Sequence, residues 1–213
     1  SGYIYLCIGG GSRQFTHPMG GGTWSSANPG IASVSSTGVV TAVSVGNTYI
    51  TYTLVPGCYT IMNVQSNLIP PPISGVNPIC VGQTAGLSSM IGAGAVWTSS
   101  DTTVATINVG SGAITGVAPG TTTITFAYYG CFVNRVQTVN ETPSAITGVT
   151  TMCAGDTMTF TVSPTGGTWS SSNTAVATVD ASSGLVTAVI GGTAVISYST
   201  ASGCVSTLTL SVG

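Results

Sequence analysis

Charged residues are almost absent from this 213-residue chain, which has no lysine and a formal net charge of −2. Its charged side chains are Arg13, Arg135, Asp101, Glu141, Asp156 and Asp180. Nucleic-acid surfaces need clustered Lys and Arg to neutralise phosphates, and anionic membrane surfaces recruit polybasic segments. The composition therefore excludes a nucleic-acid partner and a basic membrane-binding patch.

Long apolar runs are also missing, although the mean hydropathy is +0.51. Gly, Ser and Thr interrupt every apolar stretch before the roughly 18 residues that a membrane span needs, so we expect no membrane insertion. No stretch has a capped helical periodicity, and the abundant Val, Ile and Thr are typical of strands. The chain starts at Ser1 with neither a signal peptide nor Met, as expected of a mature or trimmed piece.

Groupings of catalytic or metal-binding residue types are lacking as well. His17, the single histidine, lies in the irregular stretch RQFTHPM without a neighbouring acid or nucleophile, so we interpret it as a surface loop residue. The four acids are scattered across the repeats and no pair recurs at one repeat position, so neither a glycosidase carboxylate pair nor a calcium site is supported. The sequence contains no CxxC motif that would suggest a metal site. We expect no catalytic residues, no metal and no cofactor, and hence no enzyme.

What the chain does contain is a threefold repeat marked by its cysteines. Three cysteines follow one another at intervals of 73 residues, and three more repeat this spacing 51 residues later: Cys7, Cys80 and Cys153, then Cys58, Cys131 and Cys204. The chain divides into three bodies, 1–67, 74–140 and 147–213, with connectors LIPPPI (68–73) and ETPSAI (141–146). Proline in both connectors predicts stiff, extended links.

Each body has the pattern of short strands separated by turn residues. In the third body we predict seven strands: A at 146–152, B at 157–163, C at 167–171, D at 176–179, E at 184–189, F at 193–200 and G at 204–212. Seven strands with turns every 8 to 12 residues favour an all-β sandwich, so we predict three sandwiches arranged end to end.

The stretch TWSSSNTAVATVDASSGLVTAVIGGTAVISY (168–198) resembles the bacterial Ig-like group 2 (BIG2) domain. The second body carries the same pattern, and the first carries it with a divergent segment, GGGSRQFTHPMG. The cysteine pair in each body is similar to that of repeats in large surface proteins of Bacteroidetes-type bacteria. The resemblance implies cell-surface adhesins, fibres, spacers or accessory modules of carbohydrate enzymes, and no active site.

Six cysteines in this setting predict disulfides and an oxidising, extracellular location. One alternative pairs them within bodies: Cys7–Cys58, Cys80–Cys131 and Cys153–Cys204. In an Ig-type sandwich, however, the A–B and F–G turns lie at opposite ends, separated by roughly 20 Å of strand B. The topology favours the second alternative, Cys7–Cys131 and Cys80–Cys204, which leaves Cys58 and Cys153 for neighbouring units.

Other candidate residues have structural or modification roles. Trp24, Trp97 and Trp169 recur on strand C, and we interpret them as core residues rather than sugar-binding ones. Asn140 begins the sequon NET in a connector expected to be exposed, and Thr102 and Thr157 follow aspartates as in Bacteroidetes O-glycosylation sites.

Three functions fit this sequence. The first is an extracellular, non-enzymatic fibre or stalk that grows by self-association or by further repeats of the same chain. The second is an adhesin that binds glycans or a cell surface, for which Tyr3, Tyr5 and the 9–20 stretch are the candidate residues. The third is a spacer within a larger secreted enzyme.

Overall fold

The computed structural model describes residues 2–89 and 94–213, and all of its regular structure there is β. These ranges hold 22 strands. Within them no helix has the length and apolar character to cross a membrane. The predicted all-β, Ig-like class is confirmed.

The strands follow the cysteine repeat, and every body consists of two sheets, of four and three strands in the first and third bodies and of four strands each in the second. The first body contains β1 Ile4–Cys7, β2 Ser12–Gln14, β3 Thr23–Ser26, β4 Ala32–Val34, β5 Val39–Ala42, β6 Gly46–Thr53 and β7 Tyr59–Asn67. The second contains β8 Ser74–Gly75, β9 Ile79–Cys80, β10 Thr84–Ser88, β11 Val96–Ser99, β12 Ala105–Ile107, β13 Ala113–Gly116, β14 Gly120–Tyr128 and β15 Cys131–Asn140. The third contains β16 Thr151–Met152, β17 Thr157–Thr159, β18 Thr168–Ser171, β19 Ala177–Val179, β20 Leu185–Ala188, β21 Gly192–Ser199 and β22 Val205–Val212.

Sheet order is conserved among the bodies. The main sheets run β1-β7-β6-β3, β9-β15-β14-β11 and β16-β22-β21-β18. The facing sheets run β2-β5-β4, β8-β10-β13-β12 and β17-β20-β19. In each main sheet, the short first strand pairs in parallel with the last strand of the same body. This parallel pair places the point where the chain leaves a body beside the first cysteine of that body.

Strand A of the third body differs from the sequence prediction. Thr147 exchanges backbone hydrogen bonds with Thr161, two residues beyond β17 of the facing sheet, whereas Thr151–Met152 joins the main sheet. The segment therefore changes sheets and cannot form one strand over 146–152. Strand B is also shorter than predicted and ends at Thr159, while strands C to G lie within two residues of their predicted limits.

A tryptophan packs against an aromatic residue of strand F in every core. Ring centroids are 4.6 Å apart for Trp97 and Phe126, and 4.9 Å for Trp169 and Tyr198. Trp97 and Trp169 are buried. Trp24 also contacts its partner, Tyr52, but it is only half-buried at the margin of its core.

The turn before β20 needs a glycine. Gly184 has φ +74°, its carbonyl accepts a hydrogen bond from the Phe160 amide, and it lies under the Trp169 ring. A Cβ at this position would be 2.6 Å from the Phe160 carbonyl oxygen and 2.8 Å from the indole ring. Left-handed backbone and close packing therefore act together at this position.

We expect Gly184→Ala to destabilise the third body by about 3 kcal/mol or more, because it combines strain with a clash. The matched control is Gly166→Ala, where φ is +92° but a Cβ meets no atom within 4 Å. The control should cost about 1 kcal/mol. Trp169 fluorescence during urea unfolding, with Trp24 and Trp97 replaced by Phe, reports this body alone. Equal losses in the two variants would contradict the packing argument.

The loop between β19 and β20 is organised by a carboxylate. Asp180 Oδ1 accepts hydrogen bonds from the amides and hydroxyls of Ser183 and Ser182, at 2.8 to 3.1 Å. These donors, with Ser183 contributing most, lower the pKa of Asp180 below its usual value. In the second body the same turn is organised by a neutral residue, Asn108, whose Oδ1 accepts from two amides.

A carboxylate whose pKa is lowered by folding contributes stability above its unfolded pKa of about 3.9 and loses it as the pH falls through the folded value. We therefore expect the melting temperature of the third body to fall progressively below about pH 4. Asp180→Asn should keep the turn, as Asn108 does, and weaken this pH dependence. Trp169 fluorescence measures the melting temperature with Asp180 and with Asp180→Asn. Identical pH profiles for these two proteins would be inconsistent with a stabilising role of the Asp180 carboxylate.

Candidate functional site

The features that distinguish this chain chemically are the two cystines that join successive bodies. Cys7 is bonded to Cys131, with Cα atoms 5.6 Å apart, and Cys80 to Cys204, with Cα atoms 5.8 Å apart. Both bonds join residues 124 positions apart in the sequence. The structure thus contains the pairing between bodies and not the pairing within bodies.

The fold explains why these cysteines meet. Cys7 ends β1 and lies beside Asn67, the last residue of β7, so the chain leaves the first body at this cysteine. The second body begins after six further residues, and its β14–β15 turn carries Cys131. Cys80 and Asn140 repeat this arrangement at the second joint.

Cys131 lies in a closed environment at the first joint. Its side chain is fully buried, and its sulfur is 3.8 Å from the Leu6 carbonyl oxygen. Tyr5 stacks on Tyr129 of the second body, with ring centroids 5.6 Å apart, and its Cβ lies close to Gly130. The cystine is therefore part of a packed contact between two bodies.

The second joint is closed in a similar way. Cys204 is buried, and the hydroxyl of Thr142 donates to the Val81 carbonyl at 2.8 Å. Gly203 and Val205 lie with Cys80 around one small concavity. The connector and the F–G turn of the third body thus both contact the cysteine end of the second.

Connector residues are fixed in the bodies that follow them. Ile73 and Ile146 are buried in the second and third cores. Arg135 donates from Nη2 to the Gly75 carbonyl at 3.0 Å and from Nη1 to the Ile73 carbonyl at 3.5 Å. One of the two arginines of the chain therefore holds the backbone of a connector.

Two cysteines, Cys58 and Cys153, are free and exposed. Cys58 follows the turn between β6 and β7 at one end of the chain. Cys153 follows β16 at the other end, in an open concavity of about 400 Å³ lined by Thr151, Met152, Asp156, Ser211, Val212 and Gly213. The chain therefore has one unused F–G cysteine and one unused A–B cysteine.

The candidate glycosylation residues have different environments. Thr102 and Thr157 are exposed, and Thr157 pairs with Thr187 of β20. Contrary to the expectation from the sequence, Asn140 does not lie in an exposed connector. It is half-buried at the end of β15, because it pairs with Cys80 and its carbonyl accepts from the Val81 amide.

His17 is held by its neighbours rather than projecting freely from a loop. Its ring stacks on Tyr52, with centroids 4.6 Å apart, and its Nδ1 accepts a hydrogen bond from the Met19 amide at 3.2 Å. No three His, Cys, Asp or Glu residues among 2–89 and 94–213 are grouped to hold a metal ion.

Family comparisons agree with this architecture. A family described as Bacterial Ig-like domain (group 2) matches residues 14–56 and 89–128, and one described as Intimin, immunoglobulin-like domain matches residues 158–202. These stretches are bacterial Ig-like domains. The resemblance to the group 2 domain predicted from the sequence is confirmed.

Similar proteins include surface and ice-binding proteins. Ice-binding protein 1 of Shewanella frigidimarina (strain NCIMB 400) is 30% identical over 204 residues, covering 82% of this chain but only 22% of its own length. A C-terminal fragment of intimin, solved with the intimin-binding domain of its translocated receptor, is 22% identical with a TM-score of 0.43, covering 67% of this chain and 63% of that one. Invasin, a bacterial integrin-binding protein, is 15% identical with a TM-score of 0.45, covering 92% and 52%.

We expect Cys131→Ser to loosen the first joint while leaving the three Ig-like domains folded. Without the bond to Cys7, the 68–73 connector should become at least about tenfold more sensitive to proteinase K, because cleavage follows local opening. Cys58→Ser is the matched control, since Cys58 has no partner in the chain. Fragment mapping by mass spectrometry measures the cleavage. Unchanged cleavage in the Cys131 variant would show that packing alone holds the joint.

Proposed function

We propose that this chain is a segment of a non-enzymatic extracellular fibre or stalk, in which cystines join each Ig-like domain to the next and copies of the chain join through Cys153 and Cys58. The observation that carries the proposal is the pair of identical cystines between bodies, with one unused cysteine of each kind left at opposite ends.

The backbone around Cys153 has the same form as that around the two bonded A–B cysteines. The amide that follows the cysteine donates to the last residues of the body in all three cases: Ile8 to Asn67, Val81 to Asn140, and Ala154 to Gly213. A tight turn closes on each cysteine carbonyl, from Gly10, Gln83 and Asp156. Cys153 therefore lies in a preformed site like that of Cys80.

The turn before Cys58 is closed by the same hydrogen bonds as the turn before Cys204, the cysteine that is bonded to Cys80. Leu54 donates to the Cys58 carbonyl at 2.8 Å, and Thr200 donates to the Cys204 carbonyl at 2.9 Å. A glycine precedes the cysteine in both, and its amide closes each turn. Cys58 of one copy can thus approach Cys153 of another as Cys204 approaches Cys80.

Low charge also supports assembly. Only 3% of the residues are charged, against about 25% in ordinary soluble domains, and lysine is not available to protect the exposed strand edges. Contacts with further copies or with glycans would cover such a surface. Disulfides persist in oxidising compartments, which supports an extracellular or cell-surface location.

Mixing two single variants tests the joint. Cys58→Ser keeps only Cys153, and Cys153→Ser keeps only Cys58, so neither alone can form chains longer than a dimer. In an oxidised mixture of equal amounts, with one variant isotopically labelled, we expect the mixed dimer to exceed either homodimer at least about tenfold, because only that pair reproduces the native joint.

Wild-type protein under the same conditions should form a ladder on non-reducing SDS gels that reductant converts to monomer. A mixed dimer only twice as abundant as each homodimer is what random pairing gives. That result would show that the thiols react without complementary surfaces, and it would contradict the proposed joint. Absence of any dimer under oxidising conditions would also contradict it.

A further inference from the structure

The outer face of the first main sheet differs from the same face of the other bodies. It carries exposed aromatic and aliphatic side chains on β1, on the residue just before β1, and on β6 and β7, here called the tyrosine face: Tyr3, Tyr5, Tyr49, Tyr59 and Ile61. Tyr49 and Tyr59 are 54% and 66% exposed. Ile4, Leu6, Ile50 and Val64 alternate with them along the strands and face the core.

Strand register brings the tyrosines into rows. Tyr49 on β6 is directly opposite Asn63 on β7. On the other side of β7, Ile4 of β1 pairs in parallel with Val64. Tyr3, the residue before Ile4, therefore lies level with Asn63. Tyr3 and Tyr49 are therefore two strands apart, about 10 Å. This distance is close to the length of one disaccharide unit in an extended β-linked chain.

The fold does not require these side chains. The equivalent positions in the third body hold small aliphatic or hydroxyl residues: Val149, Val195, Val205 and Thr207 correspond to Tyr3, Tyr49, Tyr59 and Ile61. That body has the same strands and the same sheet order. The second body has one exposed aromatic residue on this face, Phe132, which corresponds to Tyr59, but no tyrosine at the positions of Tyr3 and Tyr49. The pair formed by Tyr3 and Tyr49 therefore occurs in only one of three similar domains, which points to a role outside folding.

The chemistry of the face indicates the kind of ligand. Arg13 is the only charged residue of the first body, and it lies on β2 in the opposite sheet. Polar Asn47 and Thr51 flank Tyr49 along the same face of β6, so the face lacks the contiguous apolar centre of a protein interface. Tyrosine rings offer an apolar surface together with a hydrogen-bonding hydroxyl. A flat, neutral surface of this kind suits a neutral polysaccharide.

We propose that the tyrosine face binds an extended, neutral, β-1,4-linked polysaccharide, with sugar rings stacked on Tyr3 and Tyr49. The contact of Tyr5 with Tyr129 continues the aromatic surface across the first joint, so a long chain can follow the face into the second body. The site is independent of polymerisation through Cys58 and Cys153.

Affinity electrophoresis in native gels tests this proposal, with hydroxyethyl cellulose and galactomannan as the two neutral probes and alginate as the anionic one. The protein carries Cys58→Ser and Cys153→Ser so that it stays monomeric. We expect retardation by at least one neutral probe, no retardation by alginate, and no effect of added salt. Tyr49→Ser should weaken binding roughly fivefold to tenfold, and Tyr3→Ser with Tyr49→Ser should abolish it.

Val195→Ser, the equivalent change in the third body, is the matched control and should leave binding unchanged. Circular dichroism melts should show that all variants remain folded. Migration unaffected by both neutral probes would overturn the proposal, as would retardation that survives the double tyrosine variant. Sedimentation showing a dimer that Tyr49→Ser dissociates would also overturn it, because a second copy would then occupy the face.

Discussion

A disulfide bond between the A–B cysteine of one domain and the F–G cysteine of the next fixes how successive domains meet. Parallel pairing of the first and last strands brings the chain out of each body beside its A–B cysteine, and a six-residue connector brings the next F–G turn to that point. The same geometry separates the two cysteines of a single body. In this chain the arrangement leaves one exposed cysteine at each end, Cys58 and Cys153, and the proposed extension of the fibre depends on these two residues.

Around this bond the chain uses few charged side chains, and most of these hold the backbone in place. Arg135 holds a connector and Asp180 organises a turn. Hydroxyl groups and glycines perform similar tasks elsewhere, as at Gly184 and Thr142. Because so few charges contribute, we expect the stability of the protein to depend little on salt. The chain also offers trypsin only two sites, Arg13 and Arg135.

Much of the fold could be predicted from sequence because strands F and G alternate regularly between core and surface residues, and because a cysteine interval of 73 defines the repeat. The course of strand A in the third body could not be predicted, because this segment passes from one sheet to the other. Only the pairing of strands in the folded protein reveals where it changes sheets. The sequence indicated Tyr3 and Tyr5 as exposed candidates but not Tyr49 or Tyr59. Those two lie on different strands, and the register that aligns them with Tyr3 is not visible in a linear pattern.

A disulfide map of the oxidised protein, made by non-reducing pepsin digestion and mass spectrometry, would decide whether cystines join successive domains. We expect peptides that join Cys7 to Cys131 and Cys80 to Cys204, with any bonded Cys153 joined to Cys58 of another copy. A peptide that joins Cys7 to Cys58 would contradict this arrangement, because each domain would then be closed on itself and no cystine would connect one to the next.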